Sequence, residues 1–112
     1  QDIFYYPDVI VACDPNDDNE QFLRAPKLII EVLSKSTHRL DRNEKFRNYI
    51  TLPSLEEYII AEQDRPCLMI HRRSNQWVPE VIEDPAEMVV LESVGLELPL
   101  AAFYENVVPP LN

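Results

Sequence analysis

The chain is 112 residues long, 46% hydrophobic, and carries a net charge of −10 at pH 7. This length suits one domain with a single modest core, and the acidic charge argues against simple nucleic-acid binding, which needs lysine and arginine for the phosphates. No apolar stretch is long enough for a transmembrane helix and no signal segment is evident, so we expect a cytoplasmic protein without a membrane partner. The single glycine excludes a glycine-rich phosphate-binding loop.

The hydrophobic pattern predicts alternating strands and helices. Predicted strands cover residues 8–14, 27–34, 58–61, 68–72 and 76–82, with a further apolar run at 88–91. A helix is expected from the capping residue Ser36 or Thr37 to about Ile50, and a closing helix over 100–107. Pro79 lacks a backbone N–H, which moves the fifth strand to an edge or a bulge. These elements predict an α/β fold, bordering on α+β, with mixed strand directions.

One carboxylate, that of Glu31, lies in the middle of an otherwise apolar run. Residues 28–33 read Leu-Ile-Ile-Glu-Val-Leu, a composition typical of an interior strand. An ionised glutamate is almost never fully buried without a partner, because removing its charge from water costs several kcal/mol. Either Glu31 lies at a sheet edge, or a positive group such as a metal ion or a lysine meets it.

Basic residues are concentrated around the same acid. Seven of the ten lysines and arginines fall between Arg24 and Arg47, against three acids, so this segment has a local charge of +4. Two interpretations remain open. The segment is a solvated helix face, as most charge runs are, or it forms a functional basic rim beside Glu31.

The predicted helix places Lys45 next to its buried side. At about 100° per residue, Phe46, Tyr49 and Ile50 form one apolar stripe, with Lys45 at its margin. A lysine in this position can pack its stem along the core while its ammonium extends past the sheet. Asp41 precedes Lys45 by four residues, so an ordinary helix ion pair is the alternative.

Asp8, Glu31 and Lys45 provide a minimal set for metal-dependent phosphodiester hydrolysis. Mg²⁺ is typically held by one or two carboxylates together with waters and substrate phosphate, and it polarises the phosphoryl group and activates water. Asp8, at the start of its predicted strand, converges with Glu31 if the two strands are antiparallel neighbours. The Lys45 ammonium would then orient the nucleophile or stabilise the developing charge.

Several sequence blocks resemble the Uma-two family of endonucleases. The blocks are Tyr6-Pro7-Asp8-Val9, Ile30-Glu31-Val32-Leu33-Ser34 with Ser36-Thr37, Asp41-Arg42-Asn43-Glu44-Lys45-Phe46, and Leu52-Pro53-Ser54-Leu55-Glu56-Glu57-Tyr58, with Arg72 and Trp77 farther along. As an ordered set they extend the match over nearly the whole chain. The resemblance implies the PD-(D/E)xK restriction-endonuclease-like fold, a mixed sheet flanked by helices. It also implies that Asp8 is the motif aspartate and Glu31 the second acidic ligand.

The chain departs from the family pattern at two points. Leu33 stands where the usual lysine follows the acid by two residues, and the resemblance implies that Lys45, on the following helix, takes its place. Relatives also carry an upstream region with helices and a first hairpin. We therefore expect residues 1–112 to form a single restriction-endonuclease-like domain that lacks this N-terminal region. Apolar surface left uncovered would favour a homodimer.

The resulting hypothesis is a Mg²⁺-dependent DNA endonuclease, in which Mn²⁺ can substitute for Mg²⁺. Asp8 and Glu31 hold the metal, and Lys45 assists the nucleophile. Three further basic residues are expected to contact the DNA backbone: Lys35, Arg39 and Arg42. The alternative is a catalytically inactive nuclease-fold module for interaction or dimerisation.

Cysteine, tryptophan and histidine residues give weaker signals. Cys13 and Cys67 fall within apolar strand patterns without CxxC spacing, so buried free thiols are expected. Trp77 is expected to belong to the core, with base stacking as the alternative. His38 and His71 are isolated and lack the spacing of metal ligands.

Overall fold

The computed structural model describes residues 3–6, 9–13, 25–33 and 39–108, with side chains in the ranges 25–33 and 43–108. Its elements are β1 (Ile3–Tyr6), β2 (Val9–Cys13), β3 (Pro26–Leu33), α1 (Arg39–Tyr49), β4 (Glu57–Glu62), β5 (Leu68–Arg72), β6 (Glu80–Ile82), β7 (Met88–Leu91), β8 (Leu96–Pro99) and α2 (Leu100–Asn106). Within these ranges, no helix has the length and apolar character needed to cross a membrane. The fold is mixed α/β, as the sequence predicts.

Six strands form one sheet in the order β1-β2-β3-β4-β5-β6, and β7 pairs with β8 in a separate hairpin. The β3–β4 pair is parallel, whereas the other neighbouring strands of the sheet are antiparallel. A parallel pair requires a crossover connection rather than a tight turn, and α1 lies in the crossover from β3 to β4. This connection brings the helix that carries Lys45 over the strand that carries Glu31.

The two faces of the sheet bury different side chains because successive residues of a strand point to opposite faces. One face packs against α2 and the β7–β8 hairpin, and its core includes Leu28, Ile30, Val32, Leu100 and Phe103. The opposite face packs against α1, and its core includes Ile29, Leu55, Tyr58 and Ile60, with Phe46 and Tyr49 from the helix. Glu31 alternates with Ile30 and Val32, so its side chain lies on the α1 face.

Most of the predicted elements are confirmed. The strands predicted at 8–14, 27–34, 58–61, 68–72 and 88–91 correspond to β2, β3, β4, β5 and β7, and both predicted helices form as α1 and α2. The capping candidates Ser36 and Thr37 lie outside the described residues. The strands β1 and β8 are present in addition to those predicted.

The predicted strand 76–82 is wrong in its first half. Gln76 and Trp77 adopt left-handed backbone conformations, with φ of 56° and 64°, which a β-strand does not contain. Pro79 follows them and cannot donate to a strand ladder. β6 therefore begins only at Glu80.

A second buried carboxylate, that of Glu57, attaches the β7–β8 hairpin to the sheet. Glu57 is 1% exposed and accepts hydrogen bonds from Nε of Arg72 at 3.0 Å and from the backbone N–H groups of Glu92 at 3.2 Å and Ser93 at 2.8 Å. Arg72 also donates to the carbonyl oxygen of Val90 on β7. These contacts join strands β4 and β5 of the sheet to the β7–β8 hairpin, so we assign Glu57 and Arg72 a structural role.

The predictions for the cysteines and for Trp77 concern their burial. Cys67 is a buried free thiol, as expected, whereas the side chain of Cys13 lies outside those described. Trp77 is partly buried and packs against the edge of the core cluster beneath α1, so its assignment to the core holds only in part. The guanidinium of Arg73 lies 5.0 Å from the centroid of the Trp77 ring, within the range of a cation–π contact.

Candidate active site

The candidate site is centred on Glu31, whose carboxylate is buried beneath α1. β3 lies between β2 and β4 in the sheet, so the alternative that Glu31 occupies a sheet edge is wrong. The residue is 1% exposed. A charge at this depth requires partners, and two side chains provide them.

Lys45 on α1 is the positively charged partner. Its Nζ lies 3.2 Å from Oε1 of Glu31, within the range of an ion pair and of a hydrogen bond. The lysine side chain nevertheless remains 45% exposed, in keeping with its predicted position beside the apolar stripe of Phe46 and Tyr49. The structure therefore brings together two of the three residues proposed for catalysis, and it links a buried carboxylate to the solvent.

Tyr58 on β4 is the other partner, and the sequence reasoning missed it. Its hydroxyl donates a hydrogen bond to Oε2 of Glu31, and the side chain is fully buried. In the sequence, Tyr58 looks like an ordinary apolar strand residue. The available signal is positional, because the parallel register pairs Tyr58 with Ile29 and Ile60 with Glu31, which places the tyrosine on the same face as Glu31 and close to it.

Aromatic rings surround the hydrogen bond between Glu31 and Tyr58. The ring centroids of Phe46 and Tyr49 lie 5.5 Å and 5.6 Å from that of Tyr58. His71 packs behind them, with its ring centroid 4.7 Å from that of Phe46 and its Nδ1 3.1 Å from the carbonyl oxygen of Tyr58. The carboxylate therefore lies in a largely apolar pocket, where electrostatic interactions are stronger than in water.

The phenol of Tyr49 responds to both charges of the ion pair. Burial raises the pKa of Tyr49 above the ordinary tyrosine value, the negative charge of Glu31 raises it further, and the positive charge of Lys45 lowers it. The effect of Glu31 exceeds that of Lys45. The surroundings of Tyr49 therefore favour its neutral phenol form.

The other predicted site residues are described incompletely. Asp8 and Lys35 lie outside the described residues, and Arg39 and Arg42 belong to α1 with side chains outside those described. The strands β2 and β3 are antiparallel neighbours, as the convergence of Asp8 and Glu31 requires, and their register pairs Val9 with Glu31. Asp8 thus directly precedes, in the sequence, the residue paired with Glu31.

The described part of the chain provides one carboxylate of a candidate metal site. In that part, no group of three or more histidine, cysteine, aspartate or glutamate side chains is arranged to hold a metal ion. Mg²⁺ needs only one or two protein carboxylates, because waters and substrate phosphate complete its coordination. An oxygen donor such as Glu31 suits a hard cation, and the further carboxylate expected from the sequence is that of Asp8.

Comparison with known proteins identifies the family. The model of the Uma2 family, which is described as “Putative restriction endonuclease”, matches residues 1–101. The chain belongs to the Uma2 family. The matched range includes β2, β3, α1, β4 and β5, which contribute the described residues of the candidate site.

Two similar proteins come from Synechocystis sp. The “Uncharacterized protein slr1290” is 32% identical over 102 residues, which cover 89% of this chain and 54% of that protein. The “Uncharacterized protein sll1609” is 40% identical over 63 residues, which cover 54% of this chain and 36% of that protein. The Uma2 chain therefore spans about half, or less, of the length of these relatives.

A solved structure shares the fold. It is the crystal structure of a “putative nuclease belonging to DUF820” from Anabaena variabilis, with a TM-score of 0.61, and the match covers 72% of this chain and 45% of that one. The sequence identity is 19%, so the likeness concerns the fold alone. The nuclease-like fold expected from the sequence is thus confirmed for this Uma2 chain.

Proposed function

We propose that the chain forms the catalytic core of a Mg²⁺-dependent endonuclease that hydrolyses phosphodiester bonds in DNA. The observation that carries this proposal is the 3.2 Å contact between Nζ of Lys45 and Oε1 of Glu31. It joins an acid from the central sheet to a cation from the following helix. These are the two groups needed by a PD-(D/E)xK site whose lysine lies on that helix instead of on the strand. Membership of the Uma2 family supports the same reaction class.

Each residue of the proposed site has a distinct task. Asp8 and Glu31 would hold the metal, for which Mn²⁺ can substitute. When bound, Mg²⁺ supplies polarisation of the phosphoryl oxygen and a lower pKa for the attacking water. Lys45, whose side chain is 45% exposed, would orient the nucleophile with its ammonium and stabilise the negative charge that develops on the phosphate.

The DNA backbone would follow the first half of α1. Arg39 and Arg42 belong to the same helix as Lys45, and Lys35 precedes it in the sequence. A helix rises about 1.5 Å per residue, so Arg42 and Lys45 are less than one turn apart. Phosphates held by these basic residues would therefore lie close to the Lys45 ammonium, despite the acidic charge of the whole chain.

A specific observation also favours a second candidate, a catalytically inactive nuclease-fold module for interaction or dimerisation. Both carboxylate oxygens of Glu31 already accept hydrogen bonds from protein side chains, Lys45 and Tyr58. A purely structural ion pair would have the same two contacts. Metal binding and cleavage distinguish the two candidates.

The test is cleavage of supercoiled plasmid by the purified protein in Mg²⁺ or Mn²⁺. We expect Glu31→Gln and Lys45→Met to reduce the cleavage rate by about 100-fold or more, as the loss of a charge-stabilising group typically does. The matched control is Arg65→Met, because Arg65 is an exposed cation whose ion pairs are with Glu62 and Glu83 rather than with Glu31. Cleavage that is equal in all the variants and the wild type would overturn the proposal.

A further inference from the structure

The two oxygens of the Glu31 carboxylate have different partners. Oε1 faces the Lys45 ammonium at 3.2 Å, and Oε2 accepts a hydrogen bond from the hydroxyl of Tyr58. Lys45 is long, flexible and 45% exposed, whereas Tyr58 is 0% exposed. The carboxylate is therefore held on one side by a half-exposed cation and on the other by a fully buried hydroxyl.

Tyr58 is held in place from several directions. Its backbone is in the β3–β4 ladder opposite Ile29, and its ring packs against the rings of Phe46 and Tyr49. His71, on the neighbouring strand β5, approaches both the Tyr58 ring and its carbonyl oxygen. The direction of the Tyr58 hydroxyl is thus set by the packing of its ring in the core.

We propose that Tyr58 is the positioning residue of the site: its hydroxyl fixes the rotation of the Glu31 carboxylate so that Oε1 is presented toward Lys45. The final torsion of a glutamate side chain is broad and roughly two-fold when nothing restrains it. A hydrogen bond to Oε2 selects one orientation. This inference rests on the proposed function, because the oxygen so presented is the one that would serve the metal.

A fixed orientation has a direct chemical consequence. Hydrogen bonds to ligating carboxylates orient them and tune their affinity for a metal, and removal of such a partner typically lowers metal affinity or activity by about 10–100-fold. Tyr58 is fully buried, so it acts through Glu31 and does not contact DNA. Its loss should therefore lower kcat for cleavage and leave KM for plasmid DNA unchanged.

The variant Tyr58→Phe removes the hydroxyl and keeps the ring contacts. Its matched control is Tyr104→Phe, on the opposite face of the sheet. The Tyr104 hydroxyl donates to the carbonyl oxygen of Glu62 at 2.7 Å and accepts from the backbone N–H of Cys67 at 2.9 Å. Both variants therefore lose a hydrogen-bonded tyrosine hydroxyl, but only one of these hydroxyls contacts Glu31.

Two measurements on the wild type and both variants test the inference. Crystal structures without added metal should show the Glu31 carboxylate turned away from position 58 in Tyr58→Phe and unchanged in Tyr104→Phe. Calorimetric titration with MnCl₂ should give a Kd about 10–100-fold higher for Tyr58→Phe and an unchanged Kd for Tyr104→Phe. Thermal unfolding checks that the two variants are folded to a similar degree.

The outcomes separate this inference from the proposed function. An unchanged Glu31 orientation in Tyr58→Phe overturns the positioning role, and so does wild-type Mn²⁺ affinity in that variant. If the wild type binds no Mn²⁺ and cleaves no DNA, the endonuclease proposal fails. The crystal structures then still decide whether Tyr58 orients Glu31 for its ion pair with Lys45.

Discussion

Lys45 and Glu31 form an ion pair across the interface between α1 and the central sheet, with Nζ 3.2 Å from Oε1. One side chain is 1% exposed and the other 45%. The pair thus joins the buried carboxylate of Glu31 to the partly exposed side chain of Lys45. Replacing either residue breaks the pair, and the effects on stability and on metal binding are measurable.

Replacement of Lys45 by methionine preserves the apolar stem and removes the cation from Glu31. We expect the free energy of unfolding at pH 7 to fall by about 1–3 kcal/mol, the cost of leaving one buried polar atom, Oε1 of Glu31, without the Lys45 ammonium, while Oε2 keeps its hydrogen bond from Tyr58. Urea denaturation measures this difference. Lys45→Arg keeps a positive charge and should lose less, and a Lys45→Met variant as stable as the wild type would contradict an energetic role for the pair.

Replacement of Glu31 by glutamine tests metal binding more directly than it tests stability. The variant loses the charge-assisted contact with Lys45, so we expect a loss of about 1–3 kcal/mol whether or not Glu31 is a metal ligand. Calorimetric titration with MnCl₂ separates the two roles, because the affinity should fall by at least about 10-fold if Glu31 holds the metal. Glu83→Gln, which neutralises an exposed acid, is the control. Wild-type Mn²⁺ affinity in Glu31→Gln would assign Glu31 to the structure alone.

Much of the fold could be predicted because local patterns determine it. The strand expected at 68–72 matches β5 to the residue, because its apolar run of Leu68, Met69 and Ile70 is bounded on both sides by residues typical of turns. The strand expected to begin at position 76 does not, because the left-handed conformations of Gln76 and Trp77 are set by the turn and are not visible in hydrophobicity. The hydrophobic pattern therefore located the core strands, whereas it did not show where the turn before β6 ends.

The candidate site was only partly predictable for a different reason. Glu31 and Lys45 stand out in the sequence, one as an acid in an apolar run and the other as a lysine beside an apolar stripe. Tyr58 does not stand out, because its contact with Glu31 arises from the parallel register of β3 and β4. That register depends on the crossover through α1, which is a property of the whole fold.

Glu57 stabilises the attachment of the β7–β8 hairpin to the sheet. Glu57→Ala leaves the guanidinium of Arg72, which is 11% exposed, without one of its carboxylate partners, and it frees the backbone N–H groups of Glu92 and Ser93. We expect a loss of about 3–5 kcal/mol, as for other broken buried ion pairs, measured by urea denaturation. Amide hydrogen exchange at positions 92 and 93 should accelerate as well. Glu87→Ala, at an exposed acid just before β7, is the control and should leave both measurements nearly unchanged.

Stability should decrease at alkaline pH, beginning with Cys67. Burial raises the pKa of the Cys67 thiol above its ordinary value of about 9, and the negative charge of Glu62 adds to this effect. Burial likewise raises the pKa values of Tyr49 and Tyr104 above about 10. For each group the folded state favours the protonated form, so its contribution is complete below the unfolded-state pKa and is lost as the pH rises through the folded-state pKa.

The expected result is a free energy of unfolding that declines from about pH 9 and more steeply above about pH 10, where the two phenols add to the thiol. Urea denaturation at half-unit pH steps measures the profile. Cys67→Ala should remove the first part of the decline and Tyr104→Phe should reduce the second, because each variant removes one titrating group. A Cys67→Ala profile parallel to that of the wild type between pH 9 and 10 would show that the thiol is not linked to folding, and that another group causes the early decline.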